Sequence, residues 1–128
     1  MTKYVEQIQA KSKLLGAFKC ELIAELRELN RFWLSTLIDN DNFIGLITTA
    51  GEPDAKAEKC VILTTRMLWY FSESALYLGE NKLKKAAGNL YRYLVKHFYD
   101  VEYGGVYWAC HANGQVKGFE AHRYENVR

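Results

Sequence analysis

The sequence predicts an all-α protein built from helical hairpins, with a small β-hairpin in a loop. Apolar residues recur at spacings of three and four along two segments, and a third segment is apolar on nearly every side. The pair Asn113-Gly114 is a strong signal for a tight hairpin turn. Hairpins with one buried and one amphipathic helix need neighbours to cover them, so we expect part of a solenoid or a toroid.

The first amphipathic helix is predicted over roughly Cys20 to Ile38. Its apolar stripe contains Leu22, Leu26, Leu29, Trp33 and Leu37. The Asp and Asn residues at 39–42 favour turns and are expected to end it. Residues 1–18 are predicted to be helical as well, with a break at Gly16. Residues 43–53 are expected to be irregular or a short strand.

The second helix is predicted over Glu58 to Leu78, because this segment is apolar nearly all round and therefore suits a buried position. Its β-branched residues leave a strand open for the first turn. Gly79 is placed as a carboxy-terminal cap. Asn81 is expected to cap a third helix, Lys82 to Phe98. Its predicted solvent-facing side contains Lys82, Lys85, Asn89, Arg92 and Lys96. The β-hairpin is expected over Gly105 to Val116.

Composition limits the function classes. The chain of 128 residues suits one domain or part of a larger one, and its net charge of +2 implies neither a nucleic-acid nor a membrane partner. No signal peptide or membrane-spanning segment is visible. The three cysteines are widely spaced, which favours a reducing compartment over a disulfide framework or a zinc site. We therefore expect a cytoplasmic protein without a metal.

Arg66 is the most informative single residue, since it is the one charge between Lys59 and Glu73. Buried arginines need partners, so two interpretations stay open: an ion pair with a carboxylate, or a cation facing a polar cavity. Trp69 lies on the same helical face and suits a sugar platform, although a plain core position is favoured for it.

Two further sets of polar residues are considered. Asp100 and Glu102 are interpreted as turn formers in preference to a catalytic carboxylate pair. The histidines His97, His111 and His122 show no metal-ligand spacing, and an acid/base pair among them is not favoured.

Three segments carry a resemblance to a known family. Residues 59–72, KCVILTTRMLWYFS, and residues 99–108, YDVEYGGVYW, resemble two signatures of the cellobiose 2-epimerases and the related N-acylglucosamine 2-epimerases. Residues 30–39, NRFWLSTLID, are similar to the first helix of that family. The resemblance covers roughly Cys20 to Tyr124.

The resemblance implies an (α/α)6 barrel whose inner helices line a sugar pocket. The chain would be a single partial domain, residues 1–128, forming the amino-terminal portion of the barrel, with residues 1–19 as an extension. Arg66 matches a family arginine that contacts the substrate, and Tyr124 resembles a pocket tyrosine. The implied reaction inverts C2 of a reducing-end aldose through a cis-enediol, without a cofactor or a metal. Its two acid/base histidines are expected downstream of Arg128.

The chain also departs from the family pattern. The family has a Gly-Gly-Phe-Tyr turn where this chain has residues 42–45, and the sequence after Tyr124 does not continue an apolar helix. We expect the chain alone to be inactive and to self-associate through its apolar second helix. The alternatives are a non-catalytic helical remnant or interaction module, and an (α/α)-barrel glycoside hydrolase. The second helix has no acidic residue beside Arg66, and this argues against the hydrolase.

Overall fold

A computed structural model describes residues 2–39 and 42–117. The chain divides into two compact units, Met1–Phe32 and Trp33–Arg128. The described elements in chain order are α1 (Thr2–Thr36), β1 (Ile38–Asp39), β2 (Asn42–Phe43), β3 (Lys59–Cys60), α2 (Val61–Leu78), α3 (Asn81–His97) and β4 (Ala109–Cys110). No helix in these ranges is both long and apolar enough to cross a membrane.

Helix α1 is continuous over 35 residues, Thr2–Thr36. The predicted break at Gly16 and the predicted start at Cys20 are therefore wrong. A single glycine costs a helix roughly 1 kcal/mol relative to alanine, which good helix formers on both sides offset. After α1, strands β1 and β2 pair antiparallel, with Ile38 opposite Phe43.

Helix α2 begins at Val61 and not at Glu58. The reason is tertiary: Lys59 and Cys60 extend as β3 and pair antiparallel with β4, with Lys59 opposite Cys110. The helix ends as predicted at Gly79, which has φ 70° and donates its N–H to the Ala75 carbonyl at 2.8 Å.

Helix α3 runs over Asn81–His97, within one residue of its predicted bounds. Asn81 is its first helical residue, and Glu80 occupies the N-cap position without a side-chain cap bond, so the predicted Asn81 cap is wrong. The assignment of Asn89 to the solvent-facing side is also wrong, because Asn89 is 8% exposed and its Oδ1 accepts a hydrogen bond from Arg92.

The predicted turn at Asn113-Gly114 is confirmed. The backbone N–H of Gly114 donates to the His111 carbonyl at 2.8 Å, and Cys110 pairs with Val116 across the turn. The hairpin is shorter than predicted, since Ala109 and Cys110 also pair with β3 and Val106 pairs with Tyr99.

The core of the second unit lies between the two helices of the α2–α3 hairpin and the β1–β2 turn. Its buried residues are Leu37, Phe43, Ile44, Met67, Phe71, Ala75, Leu83, Ala86, Ala87 and Leu90. A smaller cluster of Val61, Phe98 and Cys110 fixes the 98–117 loop region against the start of α2 and the end of α3. The predicted combination of a helical hairpin and a small β-hairpin is therefore confirmed.

Candidate functional site

One face of α2 is turned away from the chain's own core. Exposed residues at alternating spacings of three and four mark this face, which we call the α2 face: Arg66, Trp69, Glu73 and Leu76. Trp69 is 67% exposed and Leu76 is 79% exposed. Exposed apolar side chains that lie together are typical of interaction and ligand-binding surfaces, so the α2 face is the candidate site.

The α2 face corrects two expectations about this helix. Residues of α2 that are buried lie on one side: Val61, Thr64, Met67, Phe71, Ser74 and Ala75. The prediction that α2 is covered on several sides is therefore wrong within the described chain. Trp69 is not a core residue here.

Arg66 lies on the exposed side of the helix, next to Trp69. In the described part of the chain it has no carboxylate within ion-pair distance. The described residues supply no carboxylate for an ion pair, so that interpretation of Arg66 stays a prediction. The arrangement instead presents a guanidinium group and an indole ring on one open surface, which is a combination that binds hydroxyl groups and the apolar faces of sugar rings.

The first turn of α2 is held firmly from behind. The N–H of Val61 donates to the Trp108 carbonyl at 2.9 Å, which joins the start of α2 to the residue that precedes β4. Thr64 and Thr65 donate their hydroxyl hydrogens to the carbonyls of Cys60 and Val61, at 2.9 and 3.0 Å. Arg66 therefore projects from a backbone whose position is fixed by packing and hydrogen bonds.

A buried lysine sits directly before this helix. Lys59 is 2% exposed, and its Nζ donates to the Tyr93 hydroxyl at 3.1 Å and to the Ala112 carbonyl at 2.9 Å. The same ammonium lies 4.6 Å from the centre of the Tyr93 ring and 5.0 Å from that of Phe43. Tyr93 Oη is in turn 3.6 Å from Cys110 Sγ. We call Lys59, Tyr93 and Cys110 the Lys59 cluster.

Burial dominates the titration of the Lys59 cluster. It lowers the pKa of Lys59, an effect that the nearby Cys110 opposes. It raises the pKa of the Cys110 thiol, against the influence of Tyr93 and of Lys59, and it raises the pKa of Tyr93. The contacts of Lys59 with Tyr93 and with the Ala112 carbonyl, and that of Tyr93 with Cys110, join β3, α3 and β4 as a structural unit.

The sequence alone did not indicate the Lys59 cluster. Lys59 falls in the first turn of the predicted second helix, and no local signal separates it from an exposed lysine. Its partners come from 34 and 53 residues further along the chain.

His97 and Asp100 both have structural roles. His97 Nδ1 lies 2.8 Å from the Gly114 carbonyl, so this nitrogen carries the hydrogen, and the ring packs 4.3 Å from Tyr93. Asp100 is 5% exposed, and its Oδ1 accepts the N–H groups of Glu102 and Tyr103 at 3.0 and 3.1 Å. Asp100 is therefore a turn former, as the preferred interpretation of this residue predicts.

Two residues singled out in the sequence, Tyr124 and His122, lie outside the described residues. Across residues 2–39 and 42–117, no three His, Cys, Asp or Glu side chains lie close enough together to hold a metal ion. The site that the described chain offers is therefore the α2 face with Arg66 and Trp69.

A helical hairpin that is packed on one side and open on the other is typical of one unit of a helical toroid. Residues 43–126 match the family model of N-acylglucosamine 2-epimerase, also called GlcNAc 2-epimerase. The chain belongs to this family, and the resemblance seen in its sequence is confirmed. Its helical hairpins form part of an (α/α)6 barrel, as predicted.

Two relatives in sequence are cellobiose 2-epimerases. The chain is 40% identical over 86 residues to a cellobiose 2-epimerase of Bacteroides fragilis, which covers 66% of this chain and 22% of that protein. It is 34% identical over 110 residues to a cellobiose 2-epimerase of Ruminococcus albus, covering 80% of this chain and 28% of that protein. The chain thus spans between a fifth and a third of the length of these relatives.

Solved structures agree with the sequence relatives. A sugar epimerase from a ruminal bacterium superposes with a TM-score of 0.67 at 33% identity, covering 75% of this chain and 26% of that one. The cellobiose 2-epimerase from Spirochaeta thermophila gives a TM-score of 0.66 at 34% identity, covering 76% and 25%. The relatives in sequence and the similar solved structures therefore support the same family.

Proposed function

We propose that this chain supplies the sugar-contacting first part of a carbohydrate 2-epimerase that inverts C2 of a reducing-end aldose. A cellobiose-like disaccharide or an N-acylglucosamine is the proposed substrate class, and the cytoplasm is the proposed compartment. The observation that carries this proposal is the placement of Arg66 on the open α2 face, inside the range that matches the family.

The proposed chemistry begins with ring opening to the free aldehyde. A base then removes the proton from C2, and negative charge spreads over the cis-enediolate oxygens. Return of a proton to the opposite face of C2 inverts the centre. Arg66 is proposed to donate charge-assisted hydrogen bonds to O1 or O2, where that charge develops.

Trp69 and Tyr124 are proposed as further sugar contacts. An exposed indole on the face that carries Arg66 offers a flat apolar surface for a pyranose ring. The general acid and base are proposed to be histidines outside this chain, because imidazole titrates near neutral pH and the described His97 is engaged with Gly114. No cofactor takes part in this scheme.

A segment exchange tests the proposal. Residues 43–126 of this chain replace the matching segment in the Ruminococcus albus cellobiose 2-epimerase, and conversion of cellobiose is followed by chromatography. We expect the hybrid to fold and to epimerise the sugar. A folded hybrid without turnover would contradict the proposed function and favour the alternative, a non-catalytic helical module.

A further inference from the structure

The first unit of the chain is a helix that carries an exposed repeat of apolar residues. Along α1, nine residues follow one another at spacings of four and three without interruption: Tyr4, Ile8, Lys11, Leu15, Phe18, Leu22, Glu25, Leu29 and Phe32. All nine are exposed, and we call them the α1 stripe. A seven-residue period sustained over four repeats is typical of helices that pack against another helix.

Exposure makes the α1 stripe costly in water. Ile8, Leu15 and Leu22 are 52%, 67% and 54% exposed, and Phe18 is 55% exposed. A helix of this length gains most of its stability from a covered apolar face and not from intrinsic propensity. A strict seven-residue stripe favours a second helix as the cover, because a lipid surface makes no demand for that period.

The two charged residues of the stripe indicate which helix packs against α1. Lys11 and Glu25 have opposite charges and lie seven residues on either side of Phe18. Two copies of α1 packed antiparallel about Phe18 therefore bring Lys11 of each copy beside Glu25 of the other. Two parallel copies would instead place Lys11 beside Lys11 and Glu25 beside Glu25, which is repulsive.

We infer that this chain forms an antiparallel homodimer through the α1 stripe, with Phe18 at the centre and a Lys11–Glu25 ion pair on each side. The apolar residues of the stripe cover one another, and the two symmetry-related ion pairs fix the antiparallel direction. This inference assigns a self-association surface to α1, in addition to the apolar second helix for which the sequence predicts self-association.

Charge exchange on the whole 128-residue chain tests this inference. Dimer dissociation constants are measured by sedimentation velocity for the unaltered chain, Lys11→Glu, Glu25→Lys and the double variant. Each single variant places like charges together twice per dimer, and we expect its dissociation constant to rise about tenfold. The double variant restores both pairs, so its constant should return to within about threefold of the original.

Lys13→Glu is the matched control. It makes the same change of charge two residues from Lys11, at an exposed position off the α1 stripe. We expect its dimer to be as strong as that of the unaltered chain. Circular dichroism at 222 nm follows helix content in every variant, and rescue by the double variant separates a broken interface from a broken helix.

Several results would overturn the inference. A monomer at all concentrations excludes the dimer, and a dimer that tolerates both single variants shows a parallel pair or a different surface. Flotation of the chain with vesicles of phosphatidylcholine and phosphatidylserine, together with a monomer free of lipid, would identify a membrane as the cover. None of these measurements involves a sugar, so their outcome is independent of the proposed epimerase function.

Discussion

The ammonium of Lys59 lies 3.1 Å from the hydroxyl oxygen of Tyr93 and 4.6 Å from the centre of its ring, so one tyrosine contacts the buried charge in two ways. Cation–π attraction and a charge-assisted hydrogen bond together offset part of the cost of desolvating the lysine. This pair joins β3, which precedes α2, to the middle of α3. The start of the helix that carries Arg66 is positioned by it.

Lys59→Met is expected to destabilise the chain by about 1–3 kcal/mol, because the Tyr93 hydroxyl and the Ala112 carbonyl lose a donor in a partly buried place. Methionine keeps the apolar length of the lysine stem. Lys56→Met, an exposed lysine three residues earlier, is the control and should change stability by less than about 0.5 kcal/mol. Urea unfolding measures both. Equal effects would show that Lys59 contributes no more than a surface lysine.

Alkaline stability depends on Cys110. Since burial raises the pKa of this thiol in the folded chain, the unfolded state loses its proton first as pH rises, and the free energy of unfolding falls. Lys59 acts in the opposite direction, because its pKa is lowered and the folded state gains stability as pH approaches the ordinary lysine pKa. The Cys110 contribution applies from about pH 8.5 upward, and the Lys59 contribution applies below the ordinary lysine pKa of about 10.4.

Cys110→Ala removes the first contribution and leaves the second. The free energy of unfolding of this variant should therefore fall less steeply between about pH 8.5 and pH 10 than that of the unaltered chain. Unfolding curves at a series of pH values give the two slopes. Identical slopes would mean that the thiol titrates alike in both states.

The turn at Gly114 is predicted to be intolerant of any side chain. Its φ is +86°, and an added Cβ would lie 2.5 Å from Cε1 of the His97 ring. Gly51 has a similar φ of +83° with nothing within 4 Å, so Gly51→Ala measures backbone strain alone. We expect Gly51→Ala to cost about 1 kcal/mol and Gly114→Ala about 2–4 kcal/mol. Thermal unfolding compares them, and equal losses would show that the His97 contact yields freely.

The 128-residue chain alone is predicted to lack epimerase activity. Its described histidines offer no acid/base pair, since His97 is engaged with Gly114. Incubation with cellobiose and with N-acetylmannosamine, followed by chromatography, should show no product above a buffer control. Turnover of either sugar would place the acid and base within this chain.

Local signals were sufficient for some elements. The period of α3, the cap at Gly79 and the turn at Asn113-Gly114 depend on residues adjacent in the sequence, and the structure agrees with all three. The signal at Gly16 was misleading, because one glycine is a weak breaker in a long helix.

Features that depend on distant residues were not predictable. The late start of α2 results from the pairing of Lys59 and Cys60 with Ala109 and Cys110, which no local pattern specifies. The apolar composition of α2 predicted burial on several sides, yet Trp69 is 67% exposed in the described chain. Apolar composition alone therefore does not specify which faces of a helix are covered by other residues of the chain.

Arg66 gives the most direct test of the central claim, which is that the α2 face contacts the sugar. In the hybrid that carries residues 43–126, Arg66→Met should leave the melting temperature nearly unchanged, because Arg66 is exposed and forms no ion pair with described residues. Loss of a charge-assisted contact to the enediolate should lower turnover about a hundred- to a thousandfold. Lys84→Met, an exposed lysine of α3, is the control and should alter neither quantity.

The decisive measurement is the rate of cellobiose epimerisation by the Arg66→Met hybrid, made beside its melting temperature. We predict a rate at least about a hundredfold below that of the parent hybrid at equal stability. A normal rate, or a rate that falls only in proportion to a collapsed folded fraction, would contradict the assignment of Arg66 to the sugar site.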